Sequence, residues 1–277
     1  MAYNKFKKTV WETIVEKDIE DKLLLGKSCL RTYEGKVKGA GDEVKIIGAG
    51  KVTVTETEDG KPLVLGSPET LTETEIKMAI KRQALFNFEV ADIDKAQGAG
   101  GALSIYTKDA AYGIASMIDK QVGKIALDPL VHLYSPTTTK ITKTNVLDTI
   151  DDAVLWLQEN SVDTSATKVT AYVSPRFYKF LRQNLISLDT NNSEMIKRGA
   201  TAMYSNIDIV VSNNIYNDGT DDYCIIKTQK AVALVKALTH TEPYRPDSGF
   251  TDAVKGFTLY DTKLVRPKEI IVVKTSY

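Results

Sequence analysis

Residues 85 to 97 read Leu85-Phe86-Asn87-Phe88-Glu89-Val90-Ala91-Asp92-Ile93-Asp94-Lys95-Ala96-Gln97. The aromatic and aliphatic residues in the first half of this stretch predict a buried strand. These residues are Leu85, Phe86, Phe88 and Val90. A glycine-rich tract, Gly98-Ala99-Gly100-Gly101, follows at once and predicts a break before the next element.

A long amphipathic helix is predicted after this break, from about residue 108 to residue 126. Its apolar stripe consists of Ala111, Ile114, Ala115, Ile118, Val122 and Ile125. At a rise of about 1.5 Å per residue, such a helix would span roughly 30 Å. Asp128-Pro129 ends it, because proline cannot continue a helix and disfavours helical backbone in the residue before it.

A shorter amphipathic helix is predicted near the start of the chain, over residues 10 to 23. Its apolar side carries Trp11, Ile14, Val15, Ile19 and Leu23. Gly26 and the polar residues after it end this helix. Because a short helix on a glycine-broken tether is a poor core nucleus, we expect an arm that packs on another surface, such as a neighbouring copy.

Residues 44 to 80 predict a long β-hairpin. Valine and isoleucine alternate with polar residues from Val44 to Val54, and Asp59-Gly60 suits a tight turn that requires positive φ. The returning strand begins near Pro62 and becomes threonine-rich over residues 71 to 78. A two-stranded ribbon with little apolar area is marginal in water, so we expect it to need a partner surface.

Residues 145 to 240 alternate between helix and strand patterns and predict a compact α/β or α+β domain. Asn145 is expected to cap one helix, with Asp148 in the capping-box position, and Ser174-Pro175 to open another. Strands are predicted at 169 to 173, 207 to 211, 223 to 226 and 231 to 235, and in the tail at 257 to 260 and 270 to 273.

The composition argues against several classes of protein. Lysine plus arginine number 36, as do aspartate plus glutamate, so no basic excess is present that could wrap nucleic acid. The two cysteines, Cys29 and Cys224, are far apart and predict neither a disulfide framework nor a zinc cluster. The sequence shows no apolar signal-peptide core and no membrane-spanning stretch, so we expect a cytoplasmic product.

The motifs of enzymes fail at specific positions. Gly26-Lys27-Ser28 matches the end of a P-loop, but the first glycine of that motif would fall on Asp21. The two histidines, His132 and His240, stand in no spacing that suits a metal. We therefore predict no catalytic residue, no metal ligand and no cofactor, and expect that the protein is not an enzyme.

The order of these parts resembles the tailed-bacteriophage major capsid protein, and the segment 85 to 97 resembles the strand that precedes the spine helix in that family. The resemblance implies an α+β, Hong Kong 97-like fold. Residues 1–34 would form the N-terminal arm and 35–84 the extended hairpin loop. Residues 85–144 plus 241–277 would form the peripheral domain, with the spine helix at about 108–126, and 145–240 the axial domain.

The resemblance also implies a function: assembly through hexamers and pentamers into an icosahedral phage head that encloses double-stranded DNA. The partners would be further copies, a separate scaffolding protein and a portal, with room for a decoration protein, weak non-specific contact with DNA and no membrane. The location would be the virion capsid, assembled in the host bacterial cytoplasm. We predict contacts between subunits at Trp11, Ile14, Val15, Asp59, Gly60, Lys61, Glu73, Glu75 and Arg245.

Three alternatives stay open from the sequence. An encapsulin-like compartment shell shares the fold and would differ in holding an enzyme cargo in place of DNA. A tail tube would give open tubes, and residues 145 to 240 could instead form a small-molecule enzyme domain with appendages. Under the capsid hypothesis, deletion through Leu25 should disturb assembly and leave residues 145 to 240 folded.

Overall fold

The computed structural model describes residue 13 and residues 15–34, 42–48, 74–91, 102–187, 203–204, 207–246 and 251–277. Residues 15–22 are helical, and the longer helices are α1 (Ala102–Gly123), α2 (Val146–Glu159) and α3 (Pro175–Ser187). The strands are β1 (Glu43–Gly48), β2 (Thr74–Ala79), β3 (Arg82–Ala91), β4 (His132–Leu133), β5 (Thr139–Lys140), β6 (Val169–Val173), β7 (Met203–Tyr204), β8 (Ile207–Val211), β9 (Asp222–Thr228), β10 (Val232–Tyr244), β11 (Thr251–Leu264) and β12 (Ile270–Ser276).

The strand predicted at residue 85 is β3, which lies at one edge of an antiparallel sheet of order β10-β11-β3. Its burial is lower than predicted: Ala84 is buried and Phe86 half-buried, but Leu85 is 67% exposed. Side chains of a strand alternate between the two faces of its sheet, and α1 packs against only one face of this sheet. The prediction of a strand is confirmed, whereas the predicted burial of Leu85 was wrong.

The predicted long helix is α1, which has 22 residues and therefore a length of about 33 Å. All six residues of its predicted apolar stripe are buried. The helix begins at Ala102, earlier than predicted. The prediction missed this start because Ile105 and Tyr106 are exposed, so the first described turns have no buried apolar stripe that periodicity could detect. A short 3₁₀ turn, Lys124–Leu127, continues it to the predicted stop.

The larger sheet has the order β4-β12-β9-β6-β8-β7, and β5 also pairs with β12. β6 and β8 run parallel, with α3 between them in the chain, whereas β9 runs antiparallel to both β6 and β12. Helices α2 and α3 contact each other and bury apolar residues, such as Leu157 and Phe177, in the same core as β6. The strands predicted at 169 to 173 and 207 to 211 are confirmed.

Two strands lie across the predicted domain boundaries. β10 continues through residue 240 as a member of the three-stranded sheet. β12, which the prediction grouped with the long helix, pairs with β9 in the larger sheet. The apolar pattern of a strand shows that it is buried but does not show which sheet it joins. The assignment of whole domains stays a prediction.

Asn145 precedes α2, as predicted, but its side chain does not cap the helix. The side-chain oxygen instead accepts a hydrogen bond from the Thr142 backbone N–H, at 2.8 Å, and the amide donates to the Lys140 carbonyl, at 2.9 Å. The side chain therefore closes the turn before the helix. Ser174 does cap α3, since its hydroxyl accepts a hydrogen bond from the Phe177 N–H.

Two glycines of α1 should respond in opposite directions to the same substitution. A Cβ at Gly123 would lie 2.7 Å from the Asn214 carbonyl oxygen, whereas one at Gly113 would meet no described atom within 4 Å. We expect Gly113→Ala to raise the free energy of unfolding by about 0.5–1 kcal/mol, because glycine is a poor helix former. Gly123→Ala should lower it by about 1–3 kcal/mol, because backbone must move. Urea denaturation of both variants measures the difference, and shifts of equal sign would contradict the close packing at Gly123.

Candidate assembly surfaces

The N-terminal segment, residues 15–34, packs within its own chain. Val15, Ile19, Leu23 and Leu25 are each at most 1% exposed and belong to the main core. The arm predicted for this region therefore differs from the structure over these residues. A helix this short cannot nucleate a core by itself. Its apolar residues instead belong to the same core as residues of α1 and β10, which are far away in the sequence.

Asp119 of α1 holds the turn that follows the N-terminal helix. Asp119 is 1% exposed, and its carboxylate accepts hydrogen bonds from the backbone N–H groups of Leu24 and Gly26, both at 2.9 Å. Burial raises the pKa of Asp119, while these backbone hydrogen bonds act in the opposite direction. The turn 26–28, which mimics the end of a P-loop in sequence, thus binds a carboxylate of the protein itself.

Asp119 was not among the residues predicted from the sequence, although a signal was present. Asp119 directly follows Ile118 and precedes Val122 by three residues, so it lies on the apolar side of its helix. A carboxylate in such a stripe is rarely buried without partners. Its partners lie more than 90 residues away in the chain, and periodicity gives no information about contacts at that separation.

Two further contacts hold the segment against the sheets. Leu30 forms a parallel bridge with Ala233: its N–H donates to the Val232 carbonyl at 2.8 Å, and its carbonyl accepts from the Leu234 N–H at 3.0 Å. Lys227 of β9 is fully buried, and its ammonium donates to the hydroxyl and carbonyl oxygens of Ser28. Burial lowers the pKa of Lys227.

A charged network around Glu20 completes this attachment. The Arg31 guanidinium donates to Glu20 and, at 2.8 Å, to Glu34. The buried Lys236 ammonium of β10 also contacts Glu20 and lies 3.6 Å from Glu16. Burial alone would raise the pKa of Glu20, but the hydrogen bonds from Arg31 and Lys236 outweigh it and lower the pKa to about 2.

Because of Glu20, the free energy of unfolding should depend on pH in the acidic range. Its pKa falls from 4.5 to about 2 on folding, so its contribution is fully present above pH 4.5 and is lost as the pH falls toward 2. We expect Glu20→Gln to be less stable than wild type at pH 7, with a difference that shrinks below pH 4.5. Urea unfolding across this range measures the difference in stability, with Glu43→Gln, at an exposed residue, as the control. A difference that does not change with pH would contradict this role.

The base of the predicted hairpin is present as β1 and β2, which pair antiparallel from Glu43↔Ala79 to Gly48↔Thr74. Its apolar side is covered by the chain itself. The cluster there consists of Val44, Ile46, Met78 and Ile80 with Ala233, Val235 and Leu259. The ribbon was expected to need a partner surface, and β10 and β11 of the same chain provide one for its base. The predicted turn at Asp59-Gly60 lies outside the described residues.

The nine residues predicted to contact neighbouring subunits have different environments. Val15 lies in the main core, Glu75 forms a 2.7 Å ion pair with Lys45 on the ribbon, and Arg245 is exposed at the end of β10. The structure thus does not bring Val15 and Glu75 to one surface. Trp11, Ile14, Asp59, Gly60, Lys61 and Glu73 lie outside the described residues. Contact with other subunits stays a prediction for all nine.

Each of the two histidines lies next to an aromatic ring. His132 stacks on Trp156 at a ring-centroid distance of 4.4 Å. The ring centroids of His240 and Phe257 are 5.7 Å apart, and His240 lies beside a groove of about 510 Å³ that the exposed Leu85 also lines.

Among the described residues, no group of histidine, cysteine and acidic side chains is arranged to hold a metal ion. No helix in those parts of the chain is long and apolar enough to cross a membrane.

Both cysteines are unpaired and buried. Burial raises the pKa of each thiol, that of Cys224 to about 12. The thiolate is the reactive form of cysteine, and a raised pKa reduces its population at neutral pH. Both residues are thus suited to packing.

The sequence matches no protein-family model, and no curated protein matches it either. Solved structures do match. The chain is similar to the structure of Mycobacterium phage Che8, with a TM-score of 0.73 and 24% identity over 91% of this chain and 90% of that one. It also matches the capsid structure of the cyanophage P-SCSP1u, with a TM-score of 0.65 and 15% identity over 90% and 86% of the two chains.

A third similar structure is a virus-like particle from Pyrococcus furiosus, with a TM-score of 0.57 and 17% identity over 96% of this chain and 99% of that one. These three similarities each extend over at least nine-tenths of this chain. The α+β architecture expected from the sequence is thereby confirmed. The chain has the Hong Kong 97-like fold of bacteriophage capsid proteins.

Proposed function

We propose that this chain is the major capsid protein of a tailed bacteriophage and assembles through hexamers and pentamers into an icosahedral head enclosing double-stranded DNA. The observation that carries the proposal is the similarity to a phage protein over nine-tenths of both chains. The ribbon base, α1 and both sheets are then parts of a shell subunit, and the function lies in the surfaces that neighbouring copies cover.

The exposed apolar side chains support assembly. Leu85, Ile105, Tyr112 and Leu130 are each more than half exposed in the single chain. Aromatic and large aliphatic side chains are enriched at the centres of protein interfaces, where they lose contact with water. Head-to-tail contacts use two different surfaces of each subunit. They generate a closed ring when the rotation from one subunit to the next returns to the first subunit after a whole number of copies. Repetition of such rings would give a shell.

The proposed partners follow from the proposed capsid function. A separate scaffolding protein would guide assembly, a portal would occupy one vertex, and a decoration protein would bind the outside. The net charge of zero supports only weak, non-specific contact with packaged DNA. The proposed location is the virion capsid, with assembly in the cytoplasm of a bacterial host.

An encapsulin-like compartment shell is the second candidate, and the similarity to the Pyrococcus furiosus virus-like particle favours it specifically. Both candidates share the subunit fold and closed shells. They differ in contents, because a compartment shell holds enzyme cargo and a phage head holds DNA. Analysis of nucleic acid and protein in particles purified from the native source separates them.

Electron microscopy of the purified recombinant chain, with a mass measurement on the same sample, tests the proposal. We expect closed shells or rings of five and six subunits. If the chain remains a monomer, it is co-expressed with candidate scaffolding proteins from its native source. A monomer that persists in every such combination would contradict the shell function.

A further inference from the structure

Helices α2 and α3 carry opposite charges on their exposed sides. α2 contains four carboxylates and no lysine or arginine, whereas α3 contains three basic residues and no acid. All seven charged side chains are exposed: Asp148, Asp151, Asp152 and Glu159 on α2, and Arg176, Lys179 and Arg182 on α3. Within the described part of the chain, none of the seven takes part in an ion pair.

The acidic face of α2, defined by these four carboxylates and Leu155, has the features of a binding surface. Leu155 is 53% exposed between the carboxylates, and Trp156 beside it carries the stacked His132 ring. Two carboxylates are held in place by tyrosine hydroxyls: Tyr204 donates to Asp151 and Tyr134 donates to Asp152, both at 2.9 Å. Charged groups that are already ordered lose less entropy on binding.

The basic face of α3, defined by Arg176, Lys179 and Arg182, follows the helical repeat of three to four residues and so forms one stripe. From Asp148 to Glu159 the acidic face is about 16 Å long, and from Arg176 to Arg182 the basic face is about 9 Å long. The acidic face is therefore long enough to oppose all three basic residues at once.

We propose that the acidic face of α2 in one subunit binds the basic face of α3 in a neighbouring copy. This inference rests on the proposed shell function and names one contact between its subunits. Each copy carries both faces on two helices that pack together, so every subunit can offer one face to each of two neighbours. This is the requirement for a head-to-tail contact that repeats around a ring.

Charge complementarity favours a second copy over other occupants. DNA would be repelled by the four carboxylates, although it could meet the basic face alone. The basic residues Lys5, Lys7 and Lys8 could meet the acidic face, but would leave the basic face of α3 without a partner. A second copy matches both faces at once.

Two charge-reversal variants test this contact. One is Asp148→Lys with Glu159→Lys on the acidic face, which leaves the tyrosine-bonded Asp151 and Asp152 unchanged. The other is Lys179→Glu with Arg182→Glu on the basic face. Each variant alone juxtaposes like charges, so we expect the protein concentration needed for assembly to rise at least about tenfold. Lys263→Glu with Lys268→Glu, both exposed, changes the net charge by the same amount as the basic-face variant but at another place, and should leave assembly unchanged.

The decisive experiment is to mix the two variants. In the mixture, the reversed α2 of one variant meets the reversed α3 of the other, and their unreversed faces also match. We therefore expect mixed rings to form where neither variant forms rings alone, with even-numbered rings favoured because the variants must alternate. Circular dichroism of each variant confirms that it is folded.

Several results would overturn the proposal. Folded variants that remain unassembled in the mixture would overturn it. So would a defect confined to the acidic-face variant, which would assign that face to Lys5, Lys7 and Lys8, or a basic-face variant that loses only bound DNA. If wild type forms no shells, sedimentation of the mixture still reports whether the variants associate with each other. Absence of that association would count against the contact, whereas absence of wild-type shells alone counts against the proposed function.

Discussion

A chain lacking residues 1–25 should not fold. The deletion removes Val15, Ile19, Leu23 and Leu25 from the core, and burial of each such side chain contributes about 1.5–3 kcal/mol. The summed loss of about 6–12 kcal/mol is comparable with the whole stability of a typical domain, about 5–15 kcal/mol. We expect an insoluble product, or a soluble chain without cooperative thermal unfolding by circular dichroism.

A shorter deletion is the matched control. Removal of residues 1–10 leaves all four buried side chains in place, so this variant should unfold cooperatively. The sequence alone suggested that deletion through Leu25 would spare residues 145 to 240. The structure argues otherwise, because Leu23 and Leu25 share one core with β6 and β9. A folded, soluble product of the longer deletion would show that this core does not depend on the N-terminal segment.

Asp119→Ala should cause the largest loss of stability among single substitutions at the N-terminal attachment. It removes the acceptor for two backbone N–H groups, those of Leu24 and Gly26. A buried donor without a partner costs about 1–3 kcal/mol, so for the two donors we expect the free energy of unfolding to fall by about 2–6 kcal/mol. Urea denaturation monitored by tryptophan fluorescence measures this change.

Asp109→Ala is the control, since Asp109 lies on the same helix and is exposed. It should change the free energy of unfolding by no more than about 0.5 kcal/mol. Asp119→Asn should fall between the two, because asparagine keeps one acceptor oxygen. Equal stability of Asp119→Ala and Asp109→Ala would mean that the turn at Gly26 finds other acceptors.

Local sequence patterns predicted the helices and strands better than they predicted the contacts between them. The apolar stripe of α1 and the buried strands β6 and β8 follow from side-chain spacing, which is a property of neighbouring residues. The family resemblance placed these elements in the correct fold. The attachment of the N-terminal segment was missed because its contacts, such as that of Ser28 with Lys227, join residues that are far apart in the chain.

The candidate assembly surfaces were predictable only in part. The sequence shows the charges of α2 and α3, but whether they form ion pairs within the chain cannot be deduced from their spacing. The fold shows that they remain exposed and that their helices pack together. The nine contacts predicted from the resemblance depend on other subunits and stay predictions.

The position of β12 has a consequence for biosynthesis. This strand lies inside the larger sheet, between β4 and β9, although it follows every other described strand of that sheet in the chain. During translation, the strands made earlier cannot complete that sheet until residues 270–276 have left the ribosome. A nascent or truncated chain would therefore lack a finished subunit surface, and polymerisation on the ribosome would be suppressed until synthesis has passed this strand.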